Sequence, residues 1–334
     1  MLHLHPAPGA ASPVPTLEVR NLCTSIKTRL GTITAVDGVS FTVGKGEVLG
    51  LAGESGSGKS LTAYSIMRLL PGHATVTADR LHFMGEDLLG HSAAQMRSLR
   101  GNRIAMVFQD PMTSLNPVYT VGNQISEVLI QHKGMSRRSA RAEAVRLMDA
   151  VGLPSAASRR DAYPHEFSGG MRQRIVIAMA LACSPDLLIA DEPTTALDVT
   201  VERQILALLR QLQRDVGSAV LLITHNLGLM EEFCDRVAVL YAGQVVETAP
   251  TAQIFATPEH PYTRGLMSSV PRGPIMQERL QPLTGSPPVL LGQREGCSFA
   301  PRCPSRFERC NQRPDLVPLG PARQARCFLH EEVS

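Results

Sequence analysis

The run Gly53-Glu54-Ser55-Gly56-Ser57-Gly58-Lys59-Ser60 constrains this chain more than any other feature. It fits G-x-x-x-x-G-K-[ST] and has the right neighbours: residues 47–52 read as a buried strand, and 60–70 as a helix stopped by Pro71 and Gly72. Glycines at these positions let backbone N–H groups approach phosphate oxygens, and the start of the following helix adds positive potential. Lys59 can reach the outer phosphates of a nucleoside triphosphate, and the Ser60 hydroxyl can ligate Mg²⁺. Gly53, Ser55, Gly56, Ser57, Gly58, Lys59, Ser60 and Leu61 are the expected cradle. A strand, a glycine loop and a helix in that order belong to an α/β domain.

Such a cradle needs an acidic partner, and Leu187-Leu188-Ile189-Ala190-Asp191-Glu192 supplies one. An apolar strand there delivers two carboxylates at its end. Asp191 suits the Mg²⁺ shell and Glu192 suits polarisation of an attacking water. Further strands are expected over 103–108, 186–190 and 219–224. The last two are separated by a helix that puts Val201, Ile205, Leu208 and Leu212 on one face. Alternation of this kind implies a mainly parallel, covered sheet. Residues 17–48 read as short strands turning near Gly31 and Gly38, an N-terminal antiparallel β subdomain. Residues 120–151 are helix-like, with Ala144, Leu147, Met148 and Val151 at helical spacing, so a helical insertion is expected over about 110–170.

A chain of 334 residues, 43% of them hydrophobic, can bury one large core and carry an appendage. Its formal charge of +3 falls short of the clustered basic footprint of a dedicated nucleic-acid binder. Residues 1–15 read as a loose arm without the pattern of a signal peptide. The longest strongly apolar run, 175–183, is far below the ~20 residues that span a bilayer, so any membrane role must be borrowed from a partner. Cys23, Cys183 and Cys234 are scattered and read as small apolar residues. Cys297, Cys303, Cys310 and Cys327 instead crowd a Pro- and Arg-rich tail that cannot readily build its own apolar core. Four thiolates spaced C-x5-C-x6-C-x16-C suit an iron-sulfur cluster or tetrahedral zinc, although the paired C-x2-C knuckles of zinc ribbons are missing.

Phe167-Ser168-Gly169-Gly170-Met171-Arg172-Gln173 makes a family resemblance specific: it is similar to the signature of ABC ATPases, with Phe where Leu is usual. Gln109 resembles the Q-loop glutamine of that family, Ala196-Leu197-Asp198 its D-loop, and His225 its switch histidine. The resemblance implies ATP as ligand, Mg²⁺ held by Ser60, Gln109 and Asp191, and Glu192 and His225 at the reacting phosphate. Ser168, Gly169 and Gly170 start a helix and form a second phosphate cradle, which one compact domain cannot easily close on the same nucleotide. The implied arrangement is a head-to-tail dimer sandwiching two ATPs. One position departs from the family: no aromatic residue lies between Leu17 and Ser40 to stack on adenine, and Ile26 stands near that place.

The segment from Gln109-Asp110-Pro111-Met112 to Asn116-Pro117 resembles the ATPases of dipeptide, oligopeptide and nickel importers, and His260-Pro261-Tyr262 resembles the tail motif of the peptide branch. That branch implies an ATPase energising uptake of di- or oligopeptides, with nickel or another small solute as the alternative. It implies a second, different ATPase chain, two transmembrane permeases, an extracytoplasmic solute-binding protein, and a peripheral position on the cytoplasmic face of the bacterial inner membrane. It also implies a 4Fe-4S cluster on the four tail cysteines, with Zn²⁺ or free thiols as the alternatives. The expected domains are an arm (1–15), an ATPase domain (16–255) and a cysteine-bearing extension (256–334). A soluble ABC ATPase acting on nucleic acid usually has two cassettes or a long coiled-coil insertion; neither is evident here.

Overall fold

The computed structural model describes residues 14–195, 197–268, 285, 288, 292 and 295–331. Residues 1–13 of the expected arm, Ala196 of the D-loop-like segment and 269–284 of the extension lie outside the described residues.

Strands β1 (Leu17–Thr28) and β2 (Gly31–Val43) form one long antiparallel hairpin, followed by β3 (Val48–Ala52) and helix α1 (Lys59–Ile66). Next come β4 (Ala74–Thr77), β5 (Arg80–Phe83), β6 (Glu86–Asp87), α2 (Ala93–Leu99) and β7 (Ile104–Val107). The insertion holds α3 (Pro111–Ser114), α4 (Val121–Lys133), α5 (Arg137–Ala150) and α6 (Ala156–Arg159), and leads into α7 (Gly169–Leu181). The cassette continues with β8 (Leu187–Asp191), α8 (Val199–Val216), β9 (Ala219–Ile223), α9 (Leu227–Phe233), β10 (Arg236–Tyr241) and β11 (Gln244–Pro250). Helices α10 (Thr251–Ala256) and α11 (Pro261–Ser268) precede the last strands, β12 (Val317–Gly320) and β13 (Arg323–Ala325).

The central sheet runs β12-β13-β11-β10-β3-β9-β8-β7. It is parallel from β10 to β7 and antiparallel beyond β10, which bears out the mainly parallel α/β reading. Side chains alternate across its two faces as the pleat requires. Leu187, Ile189, Leu221 and Ile223 face a core shared with the N-terminal sheet, which contributes Leu17, Val19, Val39 and Phe41. Leu188, Ala190, Val220 and Leu222 face the helices, where they meet Ile125, Met148, Ile177 and Ile205. Covered on both faces, β9 can be apolar throughout and β8 apolar up to its last residue, Asp191. Among the described residues no helix is long and apolar enough to cross a membrane.

Four local readings are corrected. Gly38 makes no turn: it lies within β2 at φ +69°, where the register with β1 slips, so its freedom serves a bulge. Helix α1 ends at Ile66, before Pro71, because Arg68 takes a left-handed φ of 51° and its guanidinium donates to the carbonyl of Leu88. The stretch 120–151 is two helices, since Gly134 closes α4 in the left-handed region and the Ser136 hydroxyl caps α5 by accepting from Ser139 N–H. On α8 the buried stripe is Ile205, Leu206, Leu209 and Gln213, rotated from the predicted face, with Val201, Leu208 and Leu212 at its margin. Gln213 can sit inside because its amide donates to the carbonyls of Gly46 and Ser218.

The tail is also more deeply built in than its composition suggests. Strand β13 pairs antiparallel with β11, Glu247 opposite Ala325, and so extends the cassette's own sheet. Tyr262, Met267 and Phe299 join the helical-face core. Arg323 donates to the fully buried Glu247 carboxylate at 3.0 Å, and the same carboxylate accepts from the backbone N–H groups of Glu259 and His260. Sheet pairing, aromatic burial and the buried Arg323–Glu247 ion pair therefore hold this segment.

Candidate nucleotide site

Gly53 leaves β3 at φ +146° and Gly58 enters α1 at φ +101°. A Cβ on Gly53 would lie 2.3 Å from the Leu240 carbonyl oxygen, so a close approach of two backbones, as well as the φ, requires glycine there. The loop is pinned from the β10–β11 turn by Gly243 N–H, which donates to the Ser57 carbonyl at 2.9 Å. Between these constraints Lys59, only 5% exposed, donates to the carbonyls of Gly53 (2.8 Å) and Glu54 (3.0 Å). Burial holds its ammonium below the usual lysine range, against the raising charges of Glu192, Asp191 and Glu54.

Ser60 Oγ donates to Asp191 Oδ1 at 2.9 Å, joining the start of α1 to the end of β8 as the sequence suggested. Asp191 is fully buried, and its second oxygen, Oδ2, has no hydrogen-bond partner among the described residues. Burial raises its carboxyl above the usual range. A buried carboxylate with an unpartnered oxygen beside a serine hydroxyl is a donor set suited to a hard cation. Tyr64, one turn beyond Ser60, adds to the same environment, for burial and the Asp191 charge raise its phenol.

Glu192 sits directly after β8 with φ 45°, an uncommon conformation for a glutamate and one fixed by its N–H donating to Ile223 O at 2.8 Å. Its Oε2 accepts from Gln109 Nε2 (2.8 Å) and Thr195 Oγ1 (2.9 Å), with His225 Nδ1 at 3.6 Å. Gln109, after β7, and His225, after β9, thus converge on one carboxylate at the carboxyl ends of adjacent strands. Gln109 is bonded to Glu192 and Ser60 to Asp191, so the three expected cation contacts divide between two neighbouring carboxylates.

Ser168 caps α7, its Oγ accepting from Met171 N–H, and Phe167 is buried beneath the Arg159 guanidinium, 4.3 Å from its ring centroid. Gly170 packs where a Cβ would come within 2.9 Å of Val201, while Gly169 meets Leu197 more loosely. Among the described residues no hydrogen bond joins Ser168, Gly169 or Gly170 to residues 53–60. Asp198 caps α8 through Val201 N–H. Leu61 is half-buried against the N-terminal core, and Ile26 is half-buried on β1 opposite Ile33 and Ala74.

The four tail cysteines, dispersed over residues 297–327, line one small cavity with His260 and Phe299. Burial raises the Cys297 and Cys303 thiols and pushes Cys327 up to about 11. Among the described residues no group of three or more His, Cys, Asp or Glu side chains is so placed that it could hold a single metal ion. His260 is buried, its Nδ1 accepting from Tyr262 N–H, and burial lowers it to about 3. Tyr262 Oη accepts from the backbone N–H of Glu54, in the glycine loop, at 2.9 Å. Sequence reasoning did not connect these two regions. The only signal for Tyr262 was its place in the tail motif.

Comparison with known proteins agrees with this geometry. The pattern of the family described as ABC transporter matches residues 36–195, and that described as Oligopeptide/dipeptide transporter, C-terminal region, matches 246–310. The chain is 50% identical to the dipeptide transport ATP-binding protein DppD of Bacillus subtilis over 95% of both chains. It is 48% identical to the oligopeptide transport ATP-binding protein OppD of Salmonella typhimurium over 93% of both. Among solved structures, the dimeric bacterial ABC transporter cassette MJ0796 superposes with a TM-score of 0.63 at 27% identity, covering 70% of this chain and 98% of that one. The same cassette bound to ADP and Pi after hydrolysis gives 0.61 at 28%, with the same coverage.

Proposed function

This chain belongs to the ABC transporter ATP-binding proteins of the dipeptide and oligopeptide branch, and from that premise we infer that it is the ATP-hydrolysing subunit of a peptide importer. It works on the cytoplasmic face of the inner membrane with permease subunits and a solute-binding protein. The observation that carries the hydrolytic role is the convergence of Gln109, Thr195 and His225 on Glu192, beside the Ser60–Asp191 pair.

The roles follow from chemistry. Backbone N–H groups of the loop from Gly53 through Ser55, Gly56, Ser57 and Gly58 face the phosphates, and Lys59 exchanges its carbonyl partners for phosphate oxygens. Ser60 and the unpartnered Asp191 Oδ2 would hold Mg²⁺, with Gln109 close by. That ion neutralises charge on the outer phosphates. Glu192 accepts a hydrogen bond from the attacking water, while Gln109 and Thr195 keep its carboxylate in one orientation. His225, 63% exposed, is free to reach the γ-phosphate. Ser168, Gly169 and Gly170 present capped helix amides to a nucleotide on a second ATPase subunit, which makes two composite sites in a head-to-tail dimer. The insertion carries exposed Met112 on α3 and exposed Val118 and Tyr119 on the loop that leads into α4, apolar surface suited to the permease's cytoplasmic segments.

Residues 256–334 form an extension of the cassette, and its cysteines are read as ligands of a 4Fe-4S cluster. Support comes from the donor set: four thiols around one cavity walled by Phe299, Phe307 and Phe328. One zinc would need sulfurs gathered to roughly 4 Å of one another, given Zn–S bonds of about 2.3 Å. Among the described residues the thiols are not gathered about one ion, so the reading rests on the four-thiol donor set at one cavity and on the family resemblance, not on the placement of the sulfurs. Cys297, Cys303, Cys310 and Cys327 would hold it, and ligation would fasten together the segments that carry them, between residues 297 and 327.

The test is Glu192→Gln in the purified complex. ATP binding stays within about twofold while turnover falls by about a hundredfold or more, the usual scale for removing a general base. Hydrolysis at the parent rate would show that another group orients the water.

A further inference from the structure

The glycine loop is gripped by a residue far away in sequence. Arg302, on the short turn between Cys297 and Cys303, places both guanidinium nitrogens on the Glu54 carboxylate, Nη1 at 2.7 Å from Oε2 and Nη2 at 3.0 Å from Oε1. The Arg302 side chain is 6% exposed. It also lies over the Tyr241 ring, 5.7 Å from the centroid, and donates to the Tyr241 hydroxyl at 3.4 Å. Tyr262 accepts from the N–H of the same Glu54, so one loop residue is held from the tail at backbone and side chain together. Behind these contacts Tyr241, Tyr262 and Phe299 pack as one aromatic group, with centroids 4.6 to 5.4 Å apart, and Phe299 lines the cysteine cavity.

Two physical consequences follow. A bidentate pair from a buried guanidinium fixes both position and orientation of its carboxylate, more tightly than a lysine could. Glu54 follows Gly53, the hinge of the loop, and its own carbonyl is a Lys59 acceptor, so fixing Glu54 fixes the start of the phosphate cradle. The Glu54 charge also acts on Lys59. Left unpaired it would set a negative group beside the phosphates, and Arg302 takes up that charge.

We propose that Arg302 is a positioning residue of the ATP site, through which the geometry of the phosphate loop depends on the folded C-terminal extension. The proposal rests on reading residues 53–60 as the ATP cradle. The contact is intramolecular, so each cassette's extension sets the loop of its own chain.

The test is a double-mutant cycle on the full-length chain. Dissociation constants for MgATP are measured in the Glu192→Gln background, where turnover does not interfere. Arg302→Met weakens ATP binding on the order of tenfold, the scale of a coupled buried ion pair. Glu54→Gln, which leaves the extension's other contacts intact, also weakens it, and the double variant binds no worse than Arg302→Met alone. Arg302→Lys recovers part of the loss. With Glu192 restored, Arg302→Met raises KM for ATP more than it lowers kcat. Single variants that bind ATP within twofold of the parent while Lys59→Ala abolishes binding would overturn the proposal and leave the ATP site standing. The same holds if Arg302→Met lowers only the melting temperature, or if the two losses multiply. Unaltered binding in Lys59→Ala would overturn the site and the proposal together.

Discussion

Alanine at Gly53 and at Gly56 should behave differently, although both glycines belong to one motif. Gly56 has φ +77°, and a methyl added there would meet nothing within 4 Å, so Gly56→Ala faces only left-handed strain, about 1–2 kcal/mol. Gly53 has φ +146°, and its Cβ would stand 2.3 Å from Leu240 O and 2.7 Å from Ser57 Oγ. The backbone region alone costs about 1–3 kcal/mol. Displacing the end of β10 adds about 1–3 kcal/mol of overpacking. Gly53→Ala should therefore lose about 2–6 kcal/mol, a large part of the ~5–15 kcal/mol that keeps a domain folded. Because Gly243, just beyond Leu240, donates to Ser57, the shift also moves the phosphate loop. Urea unfolding followed by circular dichroism measures the first effect, and MgATP titration at low temperature the second. Equal stability and equal affinity for the two variants would refute the packing argument.

Three further outcomes are expected. With Ile26 in place of an aromatic platform, stacking on adenine is lost, so competition binding should show GTP displacing ATP within about tenfold of ATP itself, since one aromatic contact contributes about 0.5–1.5 kcal/mol; a preference beyond a hundredfold would mean that adenine is read elsewhere. Anaerobically purified protein should contain iron and acid-labile sulfide, and replacing Cys303 with Ala should remove both; their absence from the parent protein would sink the cluster reading. Burial pushes the Cys234 thiol up to about 12. The unfolded thiol ionises near 8.5, so the folded state's preference for the protonated form is fully present below that pH and is lost as pH rises towards 12. Alkaline unfolding should accordingly be shallower in Cys234→Ala than in the parent above pH 9, and Cys234 should resist alkylation at pH 8 until the chain unfolds.

The nucleotide site was legible in the sequence because its parts are local. Gly53 to Ser60 is one strand-loop-helix unit, Asp191 and Glu192 end one apolar strand, and a parallel sheet brings such strand ends side by side. Gln109 and His225 were identified through the family resemblance, and their convergence on Glu192 came from the structure, where β7 and β9 flank β8. The helix boundaries were less legible: Arg68 in the left-handed region and Gly134 inside an apolar-periodic stretch end helices through backbone conformation, which periodicity does not encode. The extension was misjudged for a different reason. Its low apolar content suggested a segment without a core, yet β13 borrows the edge of β11 and Arg323 finds a buried carboxylate that only the fold supplies. The Arg302–Glu54 pair, separated by 248 positions, had no local signature at all.

Peptide uptake into proteoliposomes, reconstituted from this chain with its partner ATPase and permeases and supplied with peptide-loaded solute-binding protein, tests the central claim most directly. Labelled dipeptide should accumulate only with MgATP on the ATPase side, and Glu192→Gln should abolish accumulation while still binding ATP. Accumulation by the Glu192→Gln complex at the parent rate, or uptake that needs no ATP, would contradict the account.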